Sequence, residues 1–201
     1  MHMNLLSLAI LAAIALWFVR SKDQRRRIAL LATHLGQHQI EKHMQTLTQG
    51  YLRALGEADS ERREQIFSML QSSEQTLATQ MRALVASFAQ VDAASARVSR
   101  LPLYLPWVTQ LLPQATFDMR QALAVHADGI TRMVEAVDQP ARQRAYTLSA
   151  ELFLLQHTCH WFCKSRMVAS ARMLASHQTA YAQLLQSVSP QTRAAYADLT
   201  G

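Results

Sequence analysis

The chain is poor in residues that break helices or cross-link small folds. Its 201 residues include five glycines, five prolines and two cysteines, and 7% are aromatic. Two cysteines are too few for a disulfide framework, and Cys159 and Cys163 lie four apart, a helical spacing with poor geometry for a mutual bridge. The sequence contains no phosphate-binding glycine loop and no Ser-His-Asp arrangement. We therefore predict no cofactor and no enzymatic activity from familiar motifs.

Charge is absent from the beginning of the chain. No Asp, Glu, Lys or Arg precedes Arg20, and residues 3–19 are apolar except for Asn4 and Ser7. A helix of this length spans roughly 25 Å, the short end of what crosses a hydrocarbon core of about 30 Å. We predict a single transmembrane helix, with the lipid bilayer as a partner. A buried core helix is one alternative; a cleaved signal peptide is the other, but the basic n-region and cleavage site are missing.

A dense basic cluster follows the apolar run. By the positive-inside rule, the residues before it lie outside and the chain from Arg20 onward lies in the cytoplasm. The cluster can also bind anionic headgroups. We predict a single-pass protein of the inner (plasma) membrane, with residues 1–27 as anchor and residues 28–201 as a cytoplasmic domain. The basic cluster comprises Arg20, Lys22, Arg25, Arg26 and Arg27.

Most of the net charge of +6 comes from this cluster. From Ile28 onward the chain has 15 basic and 13 acidic residues. Nucleic-acid binding requires a basic stripe across the domain itself. The composition therefore argues against a nucleic acid as partner.

The remainder of the chain favours helix throughout, because Ala, Leu, Gln, Arg and Met abound and β-branched runs are missing. We predict an all-α fold in which the transmembrane helix is followed by an elongated antiparallel bundle of about four helices. The predicted helices cover residues 25–56, weakened at Gly36 and Gly50, then 61–91, 116–137 and 141–188, the last with a bend or stop near 164–170. A short turn then leads to Leu199.

The second predicted helix has a seven-residue apolar repeat. Leu70, Leu77, Leu84 and Val91 recur at this spacing, which favours left-handed packing against a neighbouring helix, as in a coiled coil. The neighbour can belong to the same chain or to another subunit. We expect the protein to form a homo-oligomer.

Residues 101–113 interrupt the helical pattern with three prolines and several large apolar side chains. One interpretation is a connection that packs over the end of the bundle. The other is an interfacial segment or a partner-binding surface, because clusters of aromatic and leucine residues outside regular helices often mediate contacts. The candidate partner-binding residues are Leu101, Tyr104, Trp107 and Leu111.

Two groups of residues have spacings that suit metal ligation. Cys159 and Cys163 share a helical face, and His160 lies one turn before Cys163. His34, His38 and Glu41 fall at i, i+4 and i+7 and so share one helical face, where two imidazoles and a carboxylate can hold a divalent metal. The alternative interpretation is structural: buried cysteine often acts as a small apolar residue, and the second group would be a solvated polar face.

The segment RMLASH places Arg172 and His177 at a spacing that resembles the signature of HEPN ribonucleases, helical proteins that cleave RNA at a dimer interface. The resemblance implies that Arg172 stabilises the phosphate and that His177 acts on the ribose hydroxyl or the leaving group. Met173 stands where the family has a polar residue. The resemblance covers six residues.

These observations favour a membrane-anchored, non-enzymatic scaffold, adaptor or assembly factor that recruits a protein partner to the inner membrane. A membrane-tethered ribonuclease of HEPN type and a metal-responsive sensor are the alternative functions.

Overall fold

The computed structural model describes residues 5–201, and this part of the chain is mostly helical. In chain order its helices are α1 (Leu5–Leu35), α2 (Ile40–Gly56), α3 (Ser60–Phe88), α4 (Ala93–Ala96), α5 (Val108–Leu111), α6 (Met119–Glu135), α7 (Ala141–Cys163), α8 (Arg166–His177), α9 (Tyr181–Ser187) and α10 (Pro190–Thr200). Two short strands, β1 (Arg97–Ser99) and β2 (Thr116–Asp118), form an antiparallel ribbon. The prediction of an all-α helical bundle is confirmed, but the predicted number of about four helices is too low.

Side chains at the helix starts explain several of the boundaries. The Asp59 carboxylate accepts hydrogen bonds from the backbone N–H groups of Glu61 and Arg62, which would otherwise lack partners at the start of α3. Asp118, Ser165 and Ser189 cap α6, α8 and α10 in the same way.

The core forms where α3 and α7 meet the helices around them. α3 packs on α2 and α6, while α7 packs on α1, α2 and α6. The four residues of the seven-residue repeat are all buried in this core, with exposed fractions between 0% and 8%. The neighbour of this stripe is therefore within the same chain. The repeat gives no support to a homo-oligomer, which stays a prediction. Its residues are Leu70, Leu77, Leu84 and Val91.

The predicted helix over residues 25–56 is wrong in its continuity. α1 ends at Leu35 and α2 begins at Ile40, with a turn in which the His38 N–H donates to the Leu35 carbonyl. A Cβ atom at Gly36 would lie 2.9 Å from the Ala32 carbonyl oxygen, so the close approach of the backbone there favours glycine. α1 also runs without interruption through the predicted domain boundary at residues 27 and 28.

The last third of the chain breaks more often than the sequence suggested. The predicted stop near residues 164–170 is confirmed, because α7 ends at Cys163 and Ser165 caps α8. A second break follows at Gln178, which has a left-handed φ of 50°. The start of the third predicted helix is strand β2 instead, since Thr116 to Asp118 pair with β1.

The prediction of a transmembrane helix over residues 3–19 is not supported. In the part of the chain that the structure describes, no helix has a stretch long and apolar enough to cross a membrane. The uncharged part of α1 within this part of the chain runs from Leu5 to Val19, so it rises only about 22 Å before the first charge. Met3 and Asn4 lie outside the described residues.

Candidate functional site

The first half of α1 has no cover. Every side chain from Leu6 to Phe18 is exposed. The eight large apolar side chains among them are between 48% and 72% exposed, and they occupy all sides of the helix: Leu6, Leu8, Ile10, Leu11, Ile14, Leu16, Trp17 and Phe18. A helix that is apolar all round normally lies inside a protein or a membrane. This segment therefore has the surface of a buried helix, and none of the residues that the structure describes buries it.

The basic cluster begins where this apolar surface ends, and its members have different roles. Arg27 is turned into the protein: it donates to Asp23 at 2.9 Å and to the Arg97 carbonyl at 3.0 Å, and its guanidinium lies over the Phe162 ring. The other four cations, Arg20, Lys22, Arg25 and Arg26, have exposed side chains. Four of the five predicted cations are thus available to an outside partner, and Arg27 holds α1 against the bundle.

The proline-containing loop, residues 100–115, lies beside the same part of α1. The Arg20 guanidinium is 5.9 Å from the centre of the Tyr104 ring. Burial, and then the Asp23 carboxylate, raise the pKa of Tyr104 to about 12. A crevice of about 170 Å³ separates Val19 and Asp23 from the loop. Of the predicted partner-binding residues, Leu101 and Tyr104 are half-buried against α1, whereas Trp107 and Leu111 are exposed.

A larger groove runs between the α1–α2 turn and helices α7 and α8. Its volume is about 900 Å³, and its lining is mostly apolar, with Ile28, Leu31 and Leu35 of α1 along one side. It brings together residues that the sequence analysis treated as separate groups. His38, Glu41, Cys159, His160, Cys163 and His177 all line it. Nothing in the sequence linked them, because they come from segments more than 100 residues apart.

The polar groups in this groove are poorly suited to metal ligation. Burial raises the pKa of Cys159 to about 12 and that of Cys163 to about 11, so both are neutral thiols at pH 7. Burial lowers the pKa of His160 and so favours the neutral imidazole that metals bind, which means that, of these pKa shifts, only those of the thiols count against ligation. Among residues 5–201, no group of three or more His, Cys, Asp or Glu side chains is placed to hold a metal ion.

The second predicted metal group is not brought together. His34 lies on α1, and its Nδ1 is 2.6 Å from the Ser87 hydroxyl while its ring packs edge-on against Phe88. His38 lies beyond the end of α1, in the turn that the sequence analysis read as helix. The end of α1 between the two histidines removes the shared helical face on which this candidate group depended.

The pair that resembles the HEPN signature lies on α8. Arg172 is exposed, and residues five apart lie about 140° apart around a helix, so His177 does not share its face. The His177 ring is stacked on Phe153, with 4.1 Å between ring centres, and its Nε2 is 3.1 Å from the Gln156 amide oxygen. Met173 is buried in the core. The ribonuclease alternative stays a prediction.

Sequence reasoning missed the buried polar centres of the bundle. Between α2, α3 and α7, the Tyr51 hydroxyl donates to Glu74 at 2.5 Å, and Arg144 lies 3.5 Å from the other Glu74 oxygen. Burial, followed by the negative charge of Glu74, raises the pKa of Tyr51. All three side chains are buried. Because each has a charged or hydrogen-bonding partner, the arrangement locks three helices together and needs no ligand.

A second polar centre joins α6, α7 and α10. The Thr158 hydroxyl donates to the Leu154 carbonyl, so it accepts from both His126 Nε2 and the Tyr196 hydroxyl, each at 2.8 Å. Burial lowers the pKa of His126 to about 3, which keeps the ring neutral. The sequence analysis did not single out Thr158 or Tyr196, because single hydroxyls on apolar helix faces give no recognisable pattern.

Glu151 forms a third polar centre nearby. Its carboxylate accepts from the Ser189 backbone N–H and hydroxyl at 3.0 and 2.8 Å. Burial raises the Glu151 pKa, and these hydrogen bonds partly offset that effect. Gly129 faces it so closely that a Cβ atom would lie 2.6 Å from a Glu151 oxygen. The glycine therefore permits the close approach of α6 and α7.

Comparison with known proteins identified no relative: no family model matches the chain, and neither a curated protein nor a solved structure matches it significantly.

Proposed function

We propose that the protein is a non-enzymatic helical scaffold that the first half of α1 attaches to a membrane, where the folded domain recruits a protein partner. The observation that carries this proposal is the uncharged, exposed apolar surface from Leu6 to Phe18. Large exposed apolar patches mark contacts with membranes or proteins, since soluble monomers rarely expose more than roughly 600 Å² in one patch. A helix exposed on all sides is difficult for one protein partner to cover, whereas lipid surrounds it.

The free energy gained by removing the exposed apolar side chains from water favours insertion. Removing a Leu, Ile or Phe side chain from water is worth about 1.5–3 kcal/mol. For eight half-exposed side chains the gain is on the order of 10 kcal/mol. The apolar helix is short for a span, but local bilayer thinning and the long side chains of Arg20 and Lys22, which can reach the headgroups, make up several ångströms. A transmembrane position for α1 therefore depends on these two adjustments, since no helix of the described residues is long and apolar enough to cross a bilayer unaided.

The distribution of charge supports an orientation. All Lys and Arg residues of the chain follow the apolar segment, and four exposed cations lie within two turns of its end. The positive-inside rule then favours a cytoplasmic position, at the inner membrane, for the folded domain. Exposed Lys and Arg near an anionic surface each contribute about 1 kcal/mol to binding.

The groove beside α7 is the surface that we propose for the protein partner. Its volume and mostly apolar lining suit an amphipathic helix, which lays its apolar face into such grooves. Ile28 is 42% exposed on its edge, so its side chain is free for a contact.

Fractionation of cells that express the full chain tests the membrane proposal. The protein should remain in the membrane fraction after washing with high salt, and a reporter fused behind Gly201 should be active in the cytoplasm. Recovery in the soluble fraction would contradict membrane attachment, and reporter activity only outside the cytoplasm would contradict the orientation.

Capture of partners from detergent extracts tests the groove. Ile28→Glu places a charge at the groove edge, whereas Leu52→Glu places the same charge at a 73% exposed position of α2 that does not line the groove. A partner that binds the groove should be lost with the first variant and kept with the second. Equal partner sets would remove the groove from the proposal. Sedimentation of both variants tests self-association.

A further inference from the structure

The loop of residues 100–115 has the composition of a membrane-contacting segment. No charged side chain occurs between Arg100 and Asp118. Five large apolar side chains in it are exposed by 43% to 74%, although the core lies close by: Leu103, Leu105, Trp107, Leu111 and Leu112. Trp107 has a left-handed φ of 59°, a conformation that bulky residues rarely adopt, and its ring is 53% exposed. Packing within the chain does not account for these side chains.

The loop is also placed at one level along α1. Val19 and Asp23 line a crevice together with Tyr104 and Trp107, and Arg20 lies over the Tyr104 ring. Val19 is the last residue of the uncharged segment, and Arg20 is the first of the basic cluster. If α1 enters a bilayer, this level coincides with the boundary between hydrocarbon and headgroups, where Trp and Tyr side chains are enriched.

Charge identifies the occupant of this surface. The exposed cations Arg20, Lys22, Arg25 and Arg26 belong to the stretch of α1 that adjoins the loop, and Lys164 lines the crevice beside it. The only acidic side chain in the crevice, within the described residues, is Asp23, which is paired with Arg27 at 2.9 Å. An uncharged apolar loop flanked by cations complements an anionic bilayer surface, which offers headgroup charge above and acyl chains below.

We propose that residues 100–115 rest in the interface of the same anionic bilayer that takes α1, so that the domain has two membrane contacts and one fixed orientation. This inference rests on the proposed membrane attachment. Backbone hydrogen bonds tie the loop to the bundle and close its base, because the Met167 N–H donates to the Pro102 carbonyl and the Arg100 N–H donates to the Ala115 carbonyl. Its side chains therefore meet the surface as a preformed patch.

Tryptophan fluorescence in vesicles with brominated acyl chains tests the inference. The full chain has three tryptophans, and Trp161 is buried, with its Nε1–H bonded to the Ser99 carbonyl. Trp17→Phe leaves Trp107 as the exposed tryptophan. The double variant Trp17→Phe/Trp107→Phe leaves only Trp161 and is the matched control. Vesicles contain phosphatidylcholine with or without phosphatidylglycerol, and flotation of each variant is measured first.

We expect bromine to quench the Trp17→Phe variant severalfold more than the control, and more strongly with phosphatidylglycerol present. Equal quenching of the two variants while both float would overturn the loop contact and leave membrane attachment intact. In that case Trp107→Phe would still show quenching, from Trp17. A chain that does not float at all would overturn both proposals. Quenching without any dependence on phosphatidylglycerol would overturn the anionic preference.

Discussion

Two regions of the molecule depart from the usual placement of residues in opposite ways. The first half of α1 and the loop of residues 100–115 hold large apolar side chains at the surface, whereas the centres around Glu74, His126 and Glu151 hold polar side chains in the interior. The interior groups mostly find partners within the chain, as in the contacts of Glu74 with Tyr51 and Arg144. The surface groups find none among the described residues. The first region is therefore the basis of the proposed membrane contact, and the second contributes to stability.

The largest effect should follow from charging the apolar half of α1. Leu11→Glu/Ile14→Glu puts two carboxylates into the proposed inserted helix, and each acidic residue near the centre of a span costs about 2.5–3.5 kcal/mol. We expect loss of vesicle flotation and an unchanged free energy of unfolding, because both side chains are exposed. Gln71→Glu/Gln75→Glu, at exposed positions of α3, is the control with the same charge change. If the first variant unfolded, its apolar side chains would contribute to stability, and the contrast with the interior polar centres would be wrong.

A smaller but clear loss should follow from breaking a buried polar centre. Arg144→Met removes the charge that faces the buried Glu74 carboxylate, and removal of one partner from such a pair costs about 3–5 kcal/mol. The free energy of unfolding, from urea titration, should fall by this amount while flotation persists. Arg62→Met disrupts an exposed pair with Asp59, 4.0 Å apart, and should change stability by less than about 1 kcal/mol. Equal losses would show that the interior centre is not special.

Lowering the pH should reduce the free energy of unfolding through the buried histidines of the interior. Burial lowers the pKa of His126 to about 3 and that of His157 to about 4, so these two side chains bind more protons in the unfolded chain than in the folded one below about pH 6.5. Stability is then full above pH 6.5 and falls as the pH drops toward those values, by up to about 1.4 kcal/mol per pH unit for each group. Burial also lowers the pKa values of His160 and His177, so His126→Gln should remove one of several contributions and reduce the slope by at most about 1.4 kcal/mol per pH unit between roughly pH 6 and 5. An unchanged slope would contradict the assigned role of His126.

The smallest effect should come from the exposed cations. Arg25→Gln/Arg26→Gln should weaken binding to vesicles that contain phosphatidylglycerol by about 1 kcal/mol per residue. The difference should disappear at high salt, because exposed charges are screened. Arg53→Gln/Arg82→Gln, at exposed positions away from α1, is the control. If both double substitutions weakened vesicle binding equally, the attraction would depend on the net charge of the protein and not on the position of Arg25 and Arg26.

Sequence periodicity was sufficient for the helical class and for the buried stripe of Leu70, Leu77 and Leu84, because one apolar face determines packing against a neighbour. It did not place the break at Gly36, since a single glycine is tolerated in many helices and only the close backbone approach to Ala32 distinguishes this one. It also missed β1 and β2, because three-residue strands leave no alternation to detect.

The candidate site was less predictable than the fold. The apolar segment and its cations are local in the sequence, so both were found. The groove depends on α7 packing against the α1–α2 turn, and this contact joins residues such as His38 and His160 across more than 100 positions. Spacing rules describe one helix at a time. They placed His34 and His38 in one group, although the turn between α1 and α2 separates them. They did not associate His38 with His160, although both line the groove.

The short ribbon of β1 and β2 has a consequence for how the loop can change. Because Ser99 pairs with Thr116, the loop of residues 100–115 leaves and re-enters the bundle at one point. The paired Cα atoms there are only about 5 Å apart. Insertions or deletions between these two residues are absorbed locally, since closing a longer excursion costs little additional entropy. The ribbon thus holds both ends of the loop at one place on the bundle. The exposed side chains of the loop can therefore be replaced by others without moving α6 or the helices packed on it.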